Sequence, residues 1–362
     1  MRARLARAAG SVLVPYVVSR IVVVGALETI RHIVTTRQLR PVPVEIHTGL
    51  LAWDASWYRD IARAGYDGVR PEGLRFFPLF PLLGRAVSWL PGANAGFGVV
   101  FVANASALAL GFALYRLVLH ERDDPELARR AVWLVYLAPP AFVLVMGYAE
   151  ATFMTFTAVA LLGLRSRRWL LAAVFGFLAG LTRPVGVLLA VPAVVEAWQT
   201  RDPKAAAPAA APAVGLFAYL VWAAHRTHDF WYPLRAQQDA TRRGHWVDPV
   251  RAVAHNMREL FVGDHVSAGV HAVSAIVFVA LLVVIARRWP LSFTLYAGVA
   301  LVAGLSSRNL DSLERYGLAT LPFVLAGAEV IAERERERVV LCLAGAGLAA
   351  ASMLAFTGVL VP

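Results

Sequence analysis

The 362-residue chain contains a single cysteine, Cys342, so it can form neither an intramolecular disulfide nor a thiolate metal site. Charged residues are also scarce, at 16% against about 25% in an average soluble domain. Hydrophobic residues make up 59% of the chain and the mean hydropathy is +0.60. A water-soluble fold could not bury this much apolar surface. The composition therefore excludes a soluble enzyme, a disordered chain and a disulfide scaffold, and Cys342 is expected to be a small core residue.

Motifs for common chemistry are missing as well. No glycine-rich loop of the kind that cradles phosphates occurs, and no His-Glu-x-x-His or comparable spacing indicates a metal site. Outer-loop histidines are usually solvated, and that is the interpretation for His225, His228, His245, His255, His265 and His271. No metal is expected. Without a nucleotide-binding motif, a membrane enzyme would need an activated substrate carried on a lipid.

The basic residues separate apolar segments instead of forming one patch, although the net charge is +11. This pattern is typical of topology signals and argues against a nucleic-acid partner. Apolar stretches of roughly 17–25 residues predict spanning helices. The fold class is therefore an all-α polytopic membrane protein with about eleven transmembrane helices, some short: 11–30, 95–118, 131–148, 150–164, 169–183, 184–198, 209–224, 267–286, 290–306, 317–332 and 339–358.

Charge asymmetry between the connections predicts the orientation. With the N-terminus in the cytoplasm, the inner segments hold seventeen basic residues and the short outer loops hold three. The positive-inside rule favours this arrangement. We therefore expect a multi-pass protein of the cell membrane, in which the Glu-Arg repeat at 333–338 is a solvated cytoplasmic turn.

Two long outer segments, 31–94 and 225–266, belong to what we interpret as a single transmembrane domain over 1–362. In the first, 53–66 has helical periodicity with aromatic and charged side chains alternating, which suits a helix at the membrane interface. Residues 76–90 are apolar but short, and Pro78 and Pro81 would start or bend a helix. This stretch predicts a second interfacial or re-entrant helix.

Asp54 is the most informative ionisable residue, because it stands between two tryptophans at the start of the predicted interfacial helix. One interpretation is a helix N-cap, a position that Asp favours. The other is a general base, since a carboxylate that aromatic side chains partly shield from water is suited to accept a proton.

Three further charges lie at the outer ends of spans. Glu150 either caps the helix that follows it or orients a substrate hydroxyl or a buried arginine. Arg183 is either an interface arginine or a phosphate-binding group, a role for which a guanidinium is well suited. Arg315 precedes Tyr316 at a similar junction, and its neighbour Glu314 is expected to be a surface ion-pair partner.

The motifs at these positions resemble one known family. Trp53-Asp54, Trp57-Tyr58, Ile61-Ala62, Gly65-Tyr66 and Phe76-Phe77-Pro78-Leu79-Phe80-Pro81-Leu82 closely resemble the first-loop signature of the PIG-V (GPI mannosyltransferase 2-like) family and its bacterial relatives. Further matches follow in order: Gly147 to Glu150, Thr182 to Gly186, Trp231 to Leu234 with Gln237 and Gln238, His245-Trp246, and Arg315-Tyr316 before Leu321-Pro322. Val185 and Ala151 depart from the family pattern, which has asparagine and commonly serine there.

The resemblance implies a GT-C type glycosyltransferase. Such enzymes transfer mannose from a polyprenyl- or dolichyl-phosphate-mannose donor to an acceptor on the extracytoplasmic side, here a glycolipid or lipoglycan. They need no metal or other cofactor and invert the anomeric centre. The acidic residue of their first outer loop is the catalytic base, which corresponds to Asp54.

Reaction chemistry suggests roles for the remaining candidates. A departing lipid phosphate needs cationic stabilisation, for which Arg183 and Arg315 are the candidates. Substrate contacts are expected from Trp53, Trp57, Tyr58, Glu150 and Tyr316, and a groove for the lipid chain from Phe76, Phe77 and Phe80.

Two alternatives remain open at this point. One is a non-enzymatic transporter or flippase for lipid-linked sugars, although transporters usually place ionisable groups near the midplane of the membrane. The other is the same fold with a different prenyl-phosphate sugar, such as glucose or arabinose. Arg20, inside the first span, has no role in any of these interpretations.

The predicted orientation can be tested with single cysteines on a Cys342→Ser background. We expect Ala93→Cys, in the first outer loop, to react with a membrane-impermeant maleimide on intact cells. Ser166→Cys, in an inner connection, should react only after permeabilisation. Labelling of Ser166→Cys on intact cells would contradict the orientation.

Overall fold

A computed structural model describes residues 2–38, 40–238, 244, 246–262, 266–307, 310 and 312–361. Over these residues the chain is almost entirely helical, with an isolated antiparallel bridge between Trp246 and Ser307. The α-helices are α1 Arg2–Thr36, α2 Val44–Thr48, α3 Asp54–Ala64, α4 Leu79–Ser88, α5 Ala95–Arg122, α6 Pro125–Leu137, α7 Glu150–Arg165, α8 Trp169–Thr182, α9 Ala190–Thr200, α10 Ala206–Thr227, α11 Tyr232–Arg235, α12 Pro249–Val262, α13 Val266–Arg288, α14 Leu291–Leu305, α15 Leu313–Ala319, α16 Leu321–Val330 and α17 Arg334–Phe356.

Short 3-10 helices connect several of these elements. They span Gly49–Leu51, Tyr66–Gly68, Pro71–Arg75, Pro139–Leu144, Pro184–Leu189 and Pro203–Ala205. Four of the six begin with proline, whose fixed φ suits the first position of a helix.

Helix length tests the predicted membrane spans. Among the described residues, five helices are long and apolar enough to cross a membrane: Ala8–Thr36, Ala95–Arg122, Pro203–Thr227, Val270–Arg288 and Arg334–Phe356. Shorter apolar helices are Leu79–Ser88, Trp169–Thr182, Pro184–Thr200, Leu291–Leu305 and Leu321–Val330. The all-helical, polytopic class is confirmed, whereas the number of eleven spans stays a prediction.

Two predicted spans are not continuous helices. Over 131–148, α6 ends at Leu137, and Pro139 begins a 3-10 helix. Over 317–332, α15 ends at Ala319 and α16 begins at Leu321, directly before Pro322. Proline has no N–H for the helical hydrogen bond and disfavours helical conformation in the residue before it. The prediction of one unbroken helix is wrong in both places.

The chain forms two compact units. One contains Met1–Val69, Leu79–Ala158 and Gly327–Pro362, and the other contains Arg70–Pro78 and Val159–Ala326. The boundaries fall after Val69, after Pro78, within α7 after Ala158 and within α16 after Ala326. We call them the first unit and the second unit.

In the first unit, α1 packs on α5, α6 and α17, and α3 packs on α4 and α5. The predicted helix at 53–66 is confirmed as α3, which buries Tyr58 and Ile61 and ends where Gly65 adopts φ +73°. The helix predicted within 76–90 is confirmed as α4, which begins directly after Pro78. Helix α5 starts at an Asn94 cap, whose side chain accepts a hydrogen bond from the Phe97 amide.

Helix α17 corrects two sequence-based interpretations. The Glu-Arg repeat at 333–338 is not a turn, because α17 begins at Arg334 and Glu337 forms an ion pair with Arg129 of α6. Cys342 is exposed instead of belonging to the core. In a membrane-spanning helix an apolar side chain that faces outward meets lipid, so an apolar run does not indicate burial in the protein.

In the second unit, α8 and α10 are packed closely enough to require glycine. A Cβ atom on Gly180 of α8 would lie 2.2 Å from the Pro212 carbonyl oxygen of α10, and one on Gly215 of α10 would lie 2.3 Å from the Phe177 oxygen. Small residues allow this approach of two backbones in membrane helices.

Elsewhere in the unit, the backbone N–H of Lys204 and the indole N–H of Trp169 donate to Asp202 and lower the pKa of its carboxyl.

We therefore expect Gly180→Ala to destabilise the protein by roughly 1–3 kcal/mol, because the added methyl forces α8 and α10 apart. Gly25→Ala in α1 is the matched control, since its Cβ would meet nothing within 4 Å. Thermal unfolding of both variants in the same detergent measures the difference. Equal melting temperatures would refute the close packing of these helices.

Candidate functional site

The segment that carries Asp54 begins with an unusual backbone conformation. Trp53 has φ +58° and ψ −129°, a combination that costs a non-glycine residue on the order of 1–3 kcal/mol. Its indole Nε1 donates a hydrogen bond to the Ala355 oxygen of α17 at 2.9 Å. Asp54 follows as the first residue of α3 and is half-buried. The N-cap position itself belongs to Trp53, so Asp54 does not occupy the capping position that one interpretation gave it.

Residues 147 and 148 hold this segment in place. The Gly147 amide donates to the Leu50 oxygen at 3.0 Å, and the Asp54 amide donates to the Tyr148 hydroxyl at 3.2 Å. Gly147 is packed tightly, because a Cβ there would lie 3.0 Å from Val99 and 3.4 Å from Ala55. The first unit thus joins two motifs that lie more than ninety residues apart in the sequence.

Glu150 follows Tyr148 by two residues and begins α7. Its side chain is only 2% exposed. The N-terminus of a helix stabilises a carboxylate, so this position suits a buried negative charge. The choice between a capping role and a substrate contact therefore stays open for Glu150.

The aromatic residues of α3 differ in exposure. Tyr58 is buried, with its ring edge-on to Phe80 of α4 at a centroid distance of 4.9 Å. Trp57 is half-buried. This edge-to-face pair holds the buried side of α3 against α4.

In the second unit, two candidate arginines lie near the same tyrosine ring. Arg183 is in extended conformation between α8 and the 3-10 helix Pro184–Leu189, and its guanidinium carbon lies 5.4 Å from the Tyr316 ring centroid. The guanidinium carbon of Arg315 lies 5.8 Å from that centroid, and the residue is 8% exposed. Guanidinium groups match phosphate geometry, so either side chain is suited to bind a phosphate.

Helix α15, which carries Arg315, is held by a buried histidine. His271 of α13 is 3% exposed, and its Nδ1 lies 2.9 and 3.0 Å from the two carboxylate oxygens of Glu314. This corrects two interpretations, because His271 is not solvated and Glu314 pairs with His271. The reason is that α13 packs on α15, which the sequence does not reveal.

The phenylalanines of the proposed lipid groove are all buried. Phe77 lies in the second unit, where its ring centroid is 4.6 Å from that of Tyr219. The Tyr219 hydroxyl donates to the Leu74 oxygen at 2.7 Å, and the Arg75 guanidinium lies 4.5 Å from the Phe76 ring. These contacts fix the segment Arg70–Pro78, and the lipid-groove role stays a prediction.

The structure groups the predicted residues within each unit. Trp53, Asp54, Trp57, Tyr58, Phe80 and Glu150 belong to the first unit, and Phe76, Phe77, Arg183, Arg315 and Tyr316 belong to the second. No role for Tyr148 was predicted from the sequence, although the Gly-Tyr-Ala-Glu motif that contains it was singled out. Its hydroxyl contacts the Asp54 backbone, and the motif alone did not indicate that partner.

No group of three His, Cys, Asp or Glu side chains that could hold a metal occurs in the part of the chain that the structure describes. His245 and His265 lie outside the described residues.

Comparison with known proteins gives few matches. No family model and no curated protein matches the chain. Two solved structures of ArnT from Cupriavidus metallidurans are similar to it, one bound to undecaprenyl phosphate and one in the apo state. The sequence identities are 14% and 16%, and the TM-scores are 0.49 and 0.48. Each comparison covers 84% of this chain and 71% of the ArnT chain.

Proposed function

We propose that this protein is an integral-membrane inverting glycosyltransferase. It transfers mannose from a polyprenyl-phosphate-mannose donor to a glycolipid or lipoglycan acceptor on the extracytoplasmic face. The choice of mannose and of the outer face rests on the resemblance to the PIG-V family and on the positive-inside pattern. The reaction requires no metal and no other cofactor.

The observation that carries this proposal is the contact between two motifs of the resemblance. The Trp-Asp motif and the Gly-Tyr-Ala-Glu motif are distant in the sequence, yet the Asp54 amide donates to the Tyr148 hydroxyl. This bond fixes the backbone of Asp54, and a rigid backbone is what a positioned general base requires.

Inverting transfer is a single displacement, for which one base is sufficient. In the proposed reaction a carboxylate oxygen of Asp54 accepts the proton of the acceptor hydroxyl. The hydroxyl oxygen forms a bond to the anomeric carbon of mannose as the bond from that carbon to the phosphate oxygen breaks. The electron pair of the broken bond leaves with the lipid phosphate.

Charge develops on the departing phosphate, and the proposal gives its stabilisation to Arg183 and Arg315. Both guanidinium carbons lie within 6 Å of the Tyr316 ring centroid, so the second unit has two cations beside one aromatic ring. Fixed cations stabilise such a transition state without reorganising. Trp53, Trp57 and Tyr58 would bind the sugar, Glu150 an acceptor hydroxyl, and the phenylalanines 76, 77 and 80 the prenyl chain.

We expect Asp54→Asn to abolish transfer, with a loss of at least about 10²-fold, because the amide cannot accept the proton. The measurement is transfer of radiolabelled mannose from synthetic polyprenyl-phosphate-mannose to membrane lipids by purified protein. Asp60→Asn is the matched control, since Asp60 lies on the same helix with a side chain that is 45% exposed and pairs with Arg59.

Competing donors separate the alternatives in the same assay. Prenyl-phosphate-glucose or -arabinose as the active donor would keep the mechanism and change the sugar. Full activity of Asp54→Asn would eliminate Asp54 as the base. Folded wild-type protein that transfers no sugar to a broad lipid extract would favour the transporter.

A second prediction concerns the donor phosphate. We expect Arg183→Ala to raise KM for the prenyl-phosphate donor and lower kcat, with little change in KM for the acceptor, because the proposed role of the guanidinium is to bind the donor phosphate and not the acceptor. Arg226→Ala serves as the control, since Arg226 also lies against an aromatic ring, that of Trp222 at 4.9 Å. An equal rise in both KM values would count against the phosphate role.

A further inference from the structure

Arg20 places a guanidinium in the middle of the long apolar helix α1, in the first unit. Its Nε donates to the Asn104 side-chain oxygen at 3.1 Å, and Nη2 donates to the Leu144 backbone oxygen at 3.1 Å. Nη1 donates to the Tyr16 oxygen at 3.2 Å and to Ser19 Oγ at 2.8 Å. All three nitrogens of the guanidinium thus have acceptors within the protein.

The face of the same guanidinium is covered as well. Its carbon lies 3.7 Å from the Tyr16 ring centroid and 5.3 Å from that of Tyr136. A cation over an aromatic ring is stabilised by the ring quadrupole. Because each nitrogen already has an acceptor in the protein and a ring covers its face, Arg20 is unsuited to bind a substrate phosphate. Its charge serves contacts inside the protein.

Asn104 of α5 completes the arrangement. While its oxygen accepts from Arg20, its Nδ2 donates to the Val145 oxygen and to the Val100 oxygen, each at 2.9 Å. Arg20 and Asn104 therefore donate hydrogen bonds to two consecutive carbonyl groups, those of residues 144 and 145. These carbonyls end the 3-10 helix Pro139–Leu144, where regular helical hydrogen bonding stops.

The next residues along the chain reach the proposed catalytic base. The Gly147 amide donates to the Leu50 oxygen, and the Tyr148 hydroxyl accepts from the Asp54 amide. The path from Arg20 to Asp54 consists of hydrogen bonds and only a few residues of buried, non-helical chain. A displacement of residues 144–145 would therefore move Tyr148 and the Asp54 backbone.

We propose that Arg20 and Asn104 are positioning residues that fix the 144–148 segment and, through Tyr148, the backbone of Asp54. The inference rests on the proposed function in so far as Asp54 is the base. The hydrogen-bonded path itself is independent of the reaction, and this allows the two to be tested separately.

The first test compares Arg20→Leu with wild type in two measurements. Amide hydrogen exchange in peptides covering 50–56 and 145–149 should become faster by about tenfold or more, because hydrogen bonds to a charged group are lost. In the transfer assay kcat should fall on the order of 100-fold while KM for the donor stays the same, since misplacement of a catalytic group by about 1 Å has such an effect.

Arg129→Leu is the matched control. Arg129 of α6 also joins two helices of the first unit, through its ion pair with Glu337 of α17, and it pairs with Glu126 within α6. Its described hydrogen bonds include none to residues 144–148. Its removal should leave both the exchange rates of these peptides and kcat at the wild-type level.

Two further variants keep the test decisive if Arg20→Leu does not fold. Arg20→Lys retains the charge but has a single nitrogen, so it should lose part of kcat and show intermediate exchange. Asn104→Leu should reproduce the Arg20→Leu effects, and the double variant should be no worse than either single one, because both act on one path.

The outcomes separate the two proposals. Unchanged exchange at 145–149 in Arg20→Leu would overturn the positioning role, as would a rise in donor KM with unchanged exchange, which would indicate a substrate contact. Faster exchange in Arg20→Leu together with a fully active Asp54→Asn would support the hydrogen-bonded path and reject the proposed base.

Discussion

Backbone carbonyl groups outside a helix need a hydrogen-bond donor wherever water is excluded, and this constraint shapes the first unit. Between Leu137 and Glu150 the chain leaves α-helical conformation, and residues 141–149 are all buried. Non-helical backbone at membrane depth is tolerated only where protein or a water-filled cavity supplies partners. Here Arg20 and Asn104 supply the donors, and the Gly147 amide donates a hydrogen bond to the Leu50 oxygen.

The same constraint explains how a chain with few charges uses them. Arg165 and Ser292 both donate to Glu196, which is 4% exposed, and His271 pairs with Glu314. An unpaired buried charge costs several kcal/mol, so each of these groups is retained with a partner on another helix. Hydrogen bonds to these carboxylates therefore act as specific links between helices whose apolar surfaces, in lipid, provide little specificity of their own.

The sequence predicted the helical class and the helices α3 and α4, because apolar length and helical period are local properties. It also indicated Asp54 as a candidate base, which stays a prediction. The ends of α6 and α15 were predicted incorrectly, although Pro139 and Pro322 lie close to them. The length of an apolar stretch does not by itself distinguish one continuous helix from two short ones. The partners that Arg20, His271 and Tyr148 have outside their own elements could not be predicted, for another reason. Each lies on an element distant in the chain, and no local pattern encodes which helices pack together.

The backbone conformation of Trp53 depends on contacts between elements that are distant in the chain. Asp123, Arg201 and His228 also have positive φ, but each ends a helix in the ordinary left-handed conformation. Trp53 instead begins a helix with ψ −129°, outside that region. Such strain persists only where surrounding contacts outweigh it. The indole bond to Ala355 on one side and the Tyr148 bond to the next amide on the other provide these contacts. Two hydrogen bonds from other parts of the first unit thus restrain the chain at Trp53 and at Asp54, the proposed base.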